Sequence, residues 1–295
     1  MSDPRILGAD AGTAVREAQR PPRPRGVRSI NLVAGAVLFG VIVLTALVSL
    51  VYTPYDPAET TGGRLSPPSA EHPAGTDVLG RDLLTFLMIG ARLAIAVGIG
   101  SVAISAVLGV TIGLVAAFAS RWVDDAVSSL LDIAIAFPTV LLAMLIVAWR
   151  GASLESAILA IGLAGSAVVA RLTRIVGTRV LSEAYITASR TAGTTTARML
   201  VLHVLPNVWP TLVVPFALQF GGAVVAEASL SYLGLGSPPP NASWGRLLQE
   251  AQSTVLVAPL GAVLPGVLLV VTIVGINLLA DGLRDVVDPS SRSGR

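Results

Sequence analysis

Six long apolar runs constrain this chain more than any other feature. They lie at residues 31–52, 93–119, 126–148, 154–170, 208–226 and 255–280. A helix needs about 20 mostly apolar residues to cross a bilayer, and these runs are of that order. The composition agrees: 53% of residues are hydrophobic, only 13% are charged, and the mean hydropathy is +0.77. No soluble fold of 295 residues hides that much apolar surface, so lipid must be part of the solvent. The first run is too long for a signal-peptide core of about 7–15 residues, which argues against cleavage. Residues 1–29 are polar, proline-rich and arginine-rich, and are expected to form a disordered tail.

Missing residue types exclude whole classes of chemistry. All 20 basic residues are arginine. A P-loop needs a lysine to reach the β- and γ-phosphates, so this chain does not hydrolyse ATP by that route. With no cysteine, disulfides, thiolate metal sites and cysteine nucleophiles are excluded. His72 and His203 fall on opposite sides of the expected membrane, and no HExxH is present, so an intramembrane hydrolase has no catalytic set. A secondary transporter would favour two similar halves, and no convincing internal repeat exists.

Between the fourth and fifth runs lies "EAYITASRTAGTTTARMLVLHVLPN", residues 183–207. Gly193 should break a helix, Thr194–Thr196 can cap a second one, and Pro206 should stop that one before the next span. Ala184, Ala188 and Ala192 share one face, with Glu183 and Thr187 beside them. Such a face suits a shallow groove on another protein; an ordinary amphipathic surface loop is the alternative.

The stretch resembles the cytoplasmic "EAA" loop of binding-protein-dependent ABC importers. Thr187-Ala188-Ser189 falls on the triplet, Gly193 on the fixed glycine, and Leu205-Pro206 on the closing pair. Thr187 stands where the family often has glutamate, and Glu183, one turn earlier, is the candidate to carry that charge. "HPAGTDVLGRDLL" (72–84), "AFPTVLLAMLIVA" (136–148), "AEASLSYLGLGSPPPNASWGRLL" (226–248) and "NLLADGLRDVVDP" (277–289) are similar to the dipeptide/oligopeptide/nickel permease subfamily, in its "C"-type chains. The resemblance covers roughly residues 30–289. It implies an all-α, six-helix permease of the type I ABC-importer fold, with external loops near 53–87 and 232–254, a coupling loop near 171–206, and a short C-terminal tail at 290–295. It also implies partners: a second homologous permease, two cytoplasmic ATPases that bind ATP and magnesium, and an extracytoplasmic solute-binding protein. The chain itself would hold no cofactor and bind membrane lipid but no nucleic acid. Short peptides are the implied solute, with nickel or another small solute as the alternative.

Several residues carry two readings. Asp132 and Glu227 lie within or near spans, where a carboxylate is costly; each is either structural or part of the solute path. Ser101, Ser105, Gly109, Gly113 and Ala117 form a small-residue seam, repeated by Gly162, Ser166 and Ala170, which packs helices within the chain or against a partner. Pro138 should kink the third span. Asp124-Asp125 reads as a helix cap. Arg171 and Arg174 should reach headgroups, and Trp149, Trp209 and Trp244 should anchor at membrane borders.

Arginine placement sets the expected orientation. Fifteen of the 20 arginines fall on one side if the N-terminus is cytoplasmic, against five on the other. Both termini should therefore lie in the cytoplasm of a plasma-membrane protein. Topology reporters fused after Arg295 and within 55–80 should report opposite sides; the same side for both would refute the span count.

Overall fold

The computed structural model describes residues 25–238, 241 and 243–287. The expectations for residues 1–24 and 290–295 lie outside the described residues. Within them the chain is helical, with one isolated bridge, Thr76 to Asp82, and no strand. Ten helices follow in order: α1 (Arg25–Val48), α2 (Leu83–Phe118), α3 (Arg121–Ala136), α4 (Thr139–Arg150), α5 (Leu154–Leu181), α6 (Ala184–Thr191), α7 (Thr196–Met199), α8 (Leu205–Tyr232), α9 (Trp244–Ala251) and α10 (Leu260–Val287). A π-helical turn, Leu200–Val204, joins α7 to α8. Five helical segments are long and apolar enough to cross a membrane, and α3 with α4 makes a sixth if the bent pair is one span.

The helices start and stop where local chemistry directs, which is not always where hydropathy changes. Arg92 interrupts the apolar run, yet α2 begins at Leu83, because Asp82 caps it: Oδ2 accepts from the Thr85 amide at 2.8 Å and its hydroxyl at 2.9 Å. The first span ends at Val48 rather than at 52. The last begins at Leu260, just after Pro259, while 255–257 form an exposed turn. Helix α5 does not end near residue 170 but continues to Leu181. The third span is broken rather than kinked: α3 and α4 meet at 87° across Phe137-Pro138. Proline cannot donate to the carbonyl four residues back, and it holds the residue before it extended, so the helix must stop there.

The seam packs within the chain. Ser105 Oγ donates to the Gly162 carbonyl at 2.8 Å, and Ser101 Oγ to the Ile158 carbonyl at 3.4 Å. A methyl on Gly109 would sit 2.6 Å from Val169 Cβ and 2.7 Å from the Ser166 carbonyl oxygen. One on Gly162 would sit 2.7 Å from Ile104 Cβ. These glycines let α2 and α5 touch along their backbones. Gly35 on α1 approaches the α10 backbone near Leu278 and Leu279 in the same way.

This geometry predicts the effect of bulk at the seam. Gly109→Val should destabilise the fold by about 1–3 kcal/mol or more through overpacking. Gly222→Ala, where an added methyl meets nothing within 4 Å, should be neutral. Thermal unfolding in detergent compares the two directly.

Candidate functional site

The stretch 183–207 folds into a bracket with two apolar feet. Ile186 on α6 and Met199 at the end of α7 are buried, in one cluster with Leu114 of α2, Val180 of α5, and Val208 and Leu212 of α8. The rest of the bracket faces out: Glu183, Ala184, Thr187, Ala188, Ala192 and Gly193 are exposed. Gly193 makes the turn with φ +83, a left-handed conformation that favours glycine. Thr195 caps α7, its side chain accepting from the Arg198 amide.

The expected triplet divides between two environments. Thr187 and Ala188 point outward, whereas Ser189 is half-buried and donates to Thr194 Oγ1 at 3.0 Å, with His203 Nε2 3.4 Å away. Tyr185 lies edge-on to the His203 ring, and the Asn207 amide donates to the His203 carbonyl at 2.6 Å. This polar knot ties α6 to the root of α8. Glu183 occupies the N-cap position of α6 without a side-chain cap bond, and its side chain is exposed.

Pro206 does not stop the second helix. It sits in the first turn of α8, after the π-helical turn Leu200–Val204, and the helical path runs unbroken from Thr196 to Tyr232. The wider turn accommodates a residue that lacks an N–H and crowds the carbonyl four residues back. Leu205 packs against the Ile186–Met199 cluster.

Other expectations change in the structure. Asp124 is no cap: Ser120 holds the N-cap position of α3, and Asp124 makes a two-pronged ion pair with Arg174 of α5, one prong Arg174 Nε to Oδ1 and the other Nη2 to Oδ2 at 2.6 Å. Arg171 pairs with Asp132 at 3.2 Å. Both arginines thus turn to α3, since opposite charges sit within reach. Trp149 and Trp209 are exposed, but Trp244 is fully buried, its indole N–H donating to the Leu87 carbonyl at 3.0 Å. Gly90 leaves the space that the indole fills. Glu227 is 4% exposed, accepts from Ser231 Oγ at 2.6 Å, and lies in α8 next to Ala228, against which Gly245 of α9 packs. Its surroundings favour the structural reading over an open path.

One cluster was not read from the sequence as a set of contacts. His72 Nδ1 meets Asp82 Oδ1 at 3.0 Å, both side chains buried, and Tyr55 stacks on the imidazole. Arg81 holds Asp77 at 2.6 Å, approaches Glu250 of α9 at 3.6 Å and lies over the Phe86 ring. The segment between α1 and α2 is thereby fastened to α9, and a partly open cavity of about 290 Å³ lies between them, lined by Leu65, Thr76, Leu247, Glu250, Val257 and Pro259 among others. The acidic residue before a helix was the only local signal, and it marks a cap rather than a partner 10 residues away.

Comparison with known proteins places this architecture. Residues 109–293 match the model of the binding-protein-dependent transport system inner membrane component. The chain belongs to that family. It is 36% identical to the dipeptide transport system permease protein DppC of Alkalihalophilus pseudofirmus, over 88% of this chain and 86% of that one. It is 39% identical to the di/tripeptide transport system permease protein DppC of Pseudomonas aeruginosa, over 88% of both. The glutathione transport system permease protein GsiD of Pectobacterium atrosepticum is 37% identical over 77% of this chain and 75% of its own length. In structure, an inward-facing MetNI methionine ABC transporter chain superposes with a TM-score of 0.60, at 19% identity, over 69% of this chain and 96% of that one. This member of the family therefore has an ABC-transporter permease fold, and it is a multi-pass membrane protein.

The buried histidine yields a test. His72→Phe keeps an aromatic ring against Tyr55 but leaves one Asp82 oxygen without its partner. The permease should lose about 1–3 kcal/mol of stability, the cost of an unpaired buried acceptor. Amide exchange in 66–80 should quicken, while the Thr85 amide, held by the other oxygen, stays protected. Unchanged exchange in both would refute the His72–Asp82 link.

Proposed function

We propose that this chain is the permease subunit of an ATP-driven importer of short peptides, forming half of the path across the cytoplasmic membrane. The observation that carries the reading is the bracket: an exposed small-residue face, held by two buried feet at the root of a spanning helix, in a chain of this family. A second, homologous permease supplies the other half of the path. Two cytoplasmic ATPases grip the bracket through Glu183, Thr187, Ala188 and Gly193, while Ser189 ties it inward and Leu205 and Pro206 stand at its root. Those ATPases bind ATP and magnesium and carry out hydrolysis; this chain is no enzyme and holds no cofactor. An extracytoplasmic binding protein delivers the solute. The arginine distribution supports both termini in the cytoplasm.

Relatives named for dipeptides, for di- and tripeptides, and for glutathione support the peptide assignment. All three solutes are short chains of amide-linked amino acids with charged ends.

The test is uptake of a labelled tripeptide into proteoliposomes holding the whole complex, driven by internal ATP and loaded binding protein. Gly193→Val meets no neighbour within 4 Å, so its cost is the left-handed backbone alone, about 1–3 kcal/mol. Ala188→Arg adds bulk and charge to the exposed face. Both variants should insert and fold, while stimulated ATP hydrolysis and uptake collapse. Glu183→Ala should weaken coupling if that carboxylate replaces the glutamate absent at Thr187. Unchanged stimulation in Ala188→Arg would show that the bracket is not the coupling element.

A further inference from the structure

Helix α3 carries three stripes at helical spacing, and two of them are accounted for. Val127, Leu131 and Ala134 face α5, where Leu131 is buried beside Ala167 and Ala170. Trp122, Leu130 and Ile133 are 87%, 66% and 59% exposed, an apolar surface suited to lipid. The third stripe is polar: Arg121, Asp125, Ser128, Ser129 and Asp132 recur every three or four residues and so share one face. Ser128 is half-buried and the others are exposed, so nothing among the described residues covers this face.

The stripe ends in an ion pair. Asp132 Oδ1 and Arg171 Nη1 are 3.2 Å apart, with side chains 61% and 52% exposed. The neighbouring Asp124–Arg174 pair is more enclosed, at 26% for each side chain, and clamps α3 to α5. Hydrocarbon rejects charges, so a spanning helix turns a polar face towards water or protein. Here α3 is the first half of the broken third span, and its polar stripe leads up to the 87° break.

We propose that the polar face of α3 lines the water-filled path and that the Asp132–Arg171 pair receives the two charged ends of the solute. This rests on the reading of the solute as a short peptide, whose free ends carry an ammonium and a carboxylate near neutral pH. Asp132 takes the ammonium. Arg171 takes the carboxylate, for which its planar fork is suited. A half-exposed pair holds itself together only weakly, so a zwitterion can exchange one pair for two and leave no charge alone. Ser129 and Asp125 continue the polar surface away from the pair.

The rival surrounding for the stripe is the cytosol, with α3 lying along the membrane surface. The chain has no cysteine, so single-cysteine variants of it report without background from this subunit. In the reconstituted complex, an impermeant thiol reagent is added from the binding-protein side during ATP turnover. Ser129→Cys should label about tenfold faster than Leu130→Cys on the apolar stripe, since lipid excludes the reagent. A transported tripeptide should slow that labelling. No labelling of Ser129→Cys from that side would overturn the path assignment.

The second arm reads the pair through matched peptides. Asp132→Asn should lower uptake of a free-ended tripeptide by about tenfold, but lower uptake of its N-acetylated form far less. Arg171→Gln should spare the C-amidated form in the same way. The binding protein's own preference cancels when each variant is compared with wild type. Equal losses for free and capped peptides would show that the pair only braces the helices and would overturn its assignment. A complex that labels at Ser129→Cys from the binding-protein side yet carries no peptide would overturn the peptide reading, and the pair's role with it, while the path assignment stands.

Discussion

The close contact between α2 and α5 is the interaction on which the rest depends. In lipid, apolar side chains gain little by leaving their surroundings, so helices associate through close packing and hydrogen bonds between them. Gly109 and Gly113 on one helix, and Gly162 and Gly165 on the other, remove the side chains that would hold the backbones apart. That closeness brings Ser105 Oγ within 2.8 Å of a helical carbonyl. Gln219 of α8 reaches the same serine and lies against Gly165, so a third helix joins at this contact. Once α5 is fixed, so are its arginines, and with them α3.

Much of this was legible in sequence because the signals are local. Apolar runs marked the spans, the four-residue recurrence of small side chains marked the seam, and Gly193 marked the bracket's turn. What escaped has one physical cause: partners far apart in the chain. Asp124 looks like a cap until Arg174, 50 residues on, is beside it. Trp244 looks like an interfacial anchor because a polar tip and an apolar body suit a membrane border equally well. Only the vacancy at Gly90 and the Leu87 carbonyl show that it is a plug. Helix limits slipped for another reason. Hydropathy records where lipid is tolerated, whereas Asp82 and Pro259 record where backbone donors are satisfied or missing.

The candidate site was legible in outline and not in orientation. The family resemblance put Thr187, Ala188 and Ser189 together as one triplet. The fold divides them, because Ile186 must point into the cluster with Leu114 and Leu212. That inward turn leaves Thr187 and Ala188 outside and draws Ser189 towards Thr194 and His203.

The division gives the bracket a mechanical character. Its outer face offers little more than small side chains, so a partner can approach the backbone closely. Its inner face is bonded to the root of α8 through Ser189, His203, Tyr185 and Asn207. A push on α6 therefore acts on α8 through a polar knot and on α2 through Ile186. The π-helical turn carries His203 of that knot and leads directly into α8. A turn wound one residue wider than its neighbours is where a helix most readily changes register, and such turns gather at functional positions. The same turn that makes room for Pro206 thus lies where movement of the bracket would enter the membrane-spanning part of the chain.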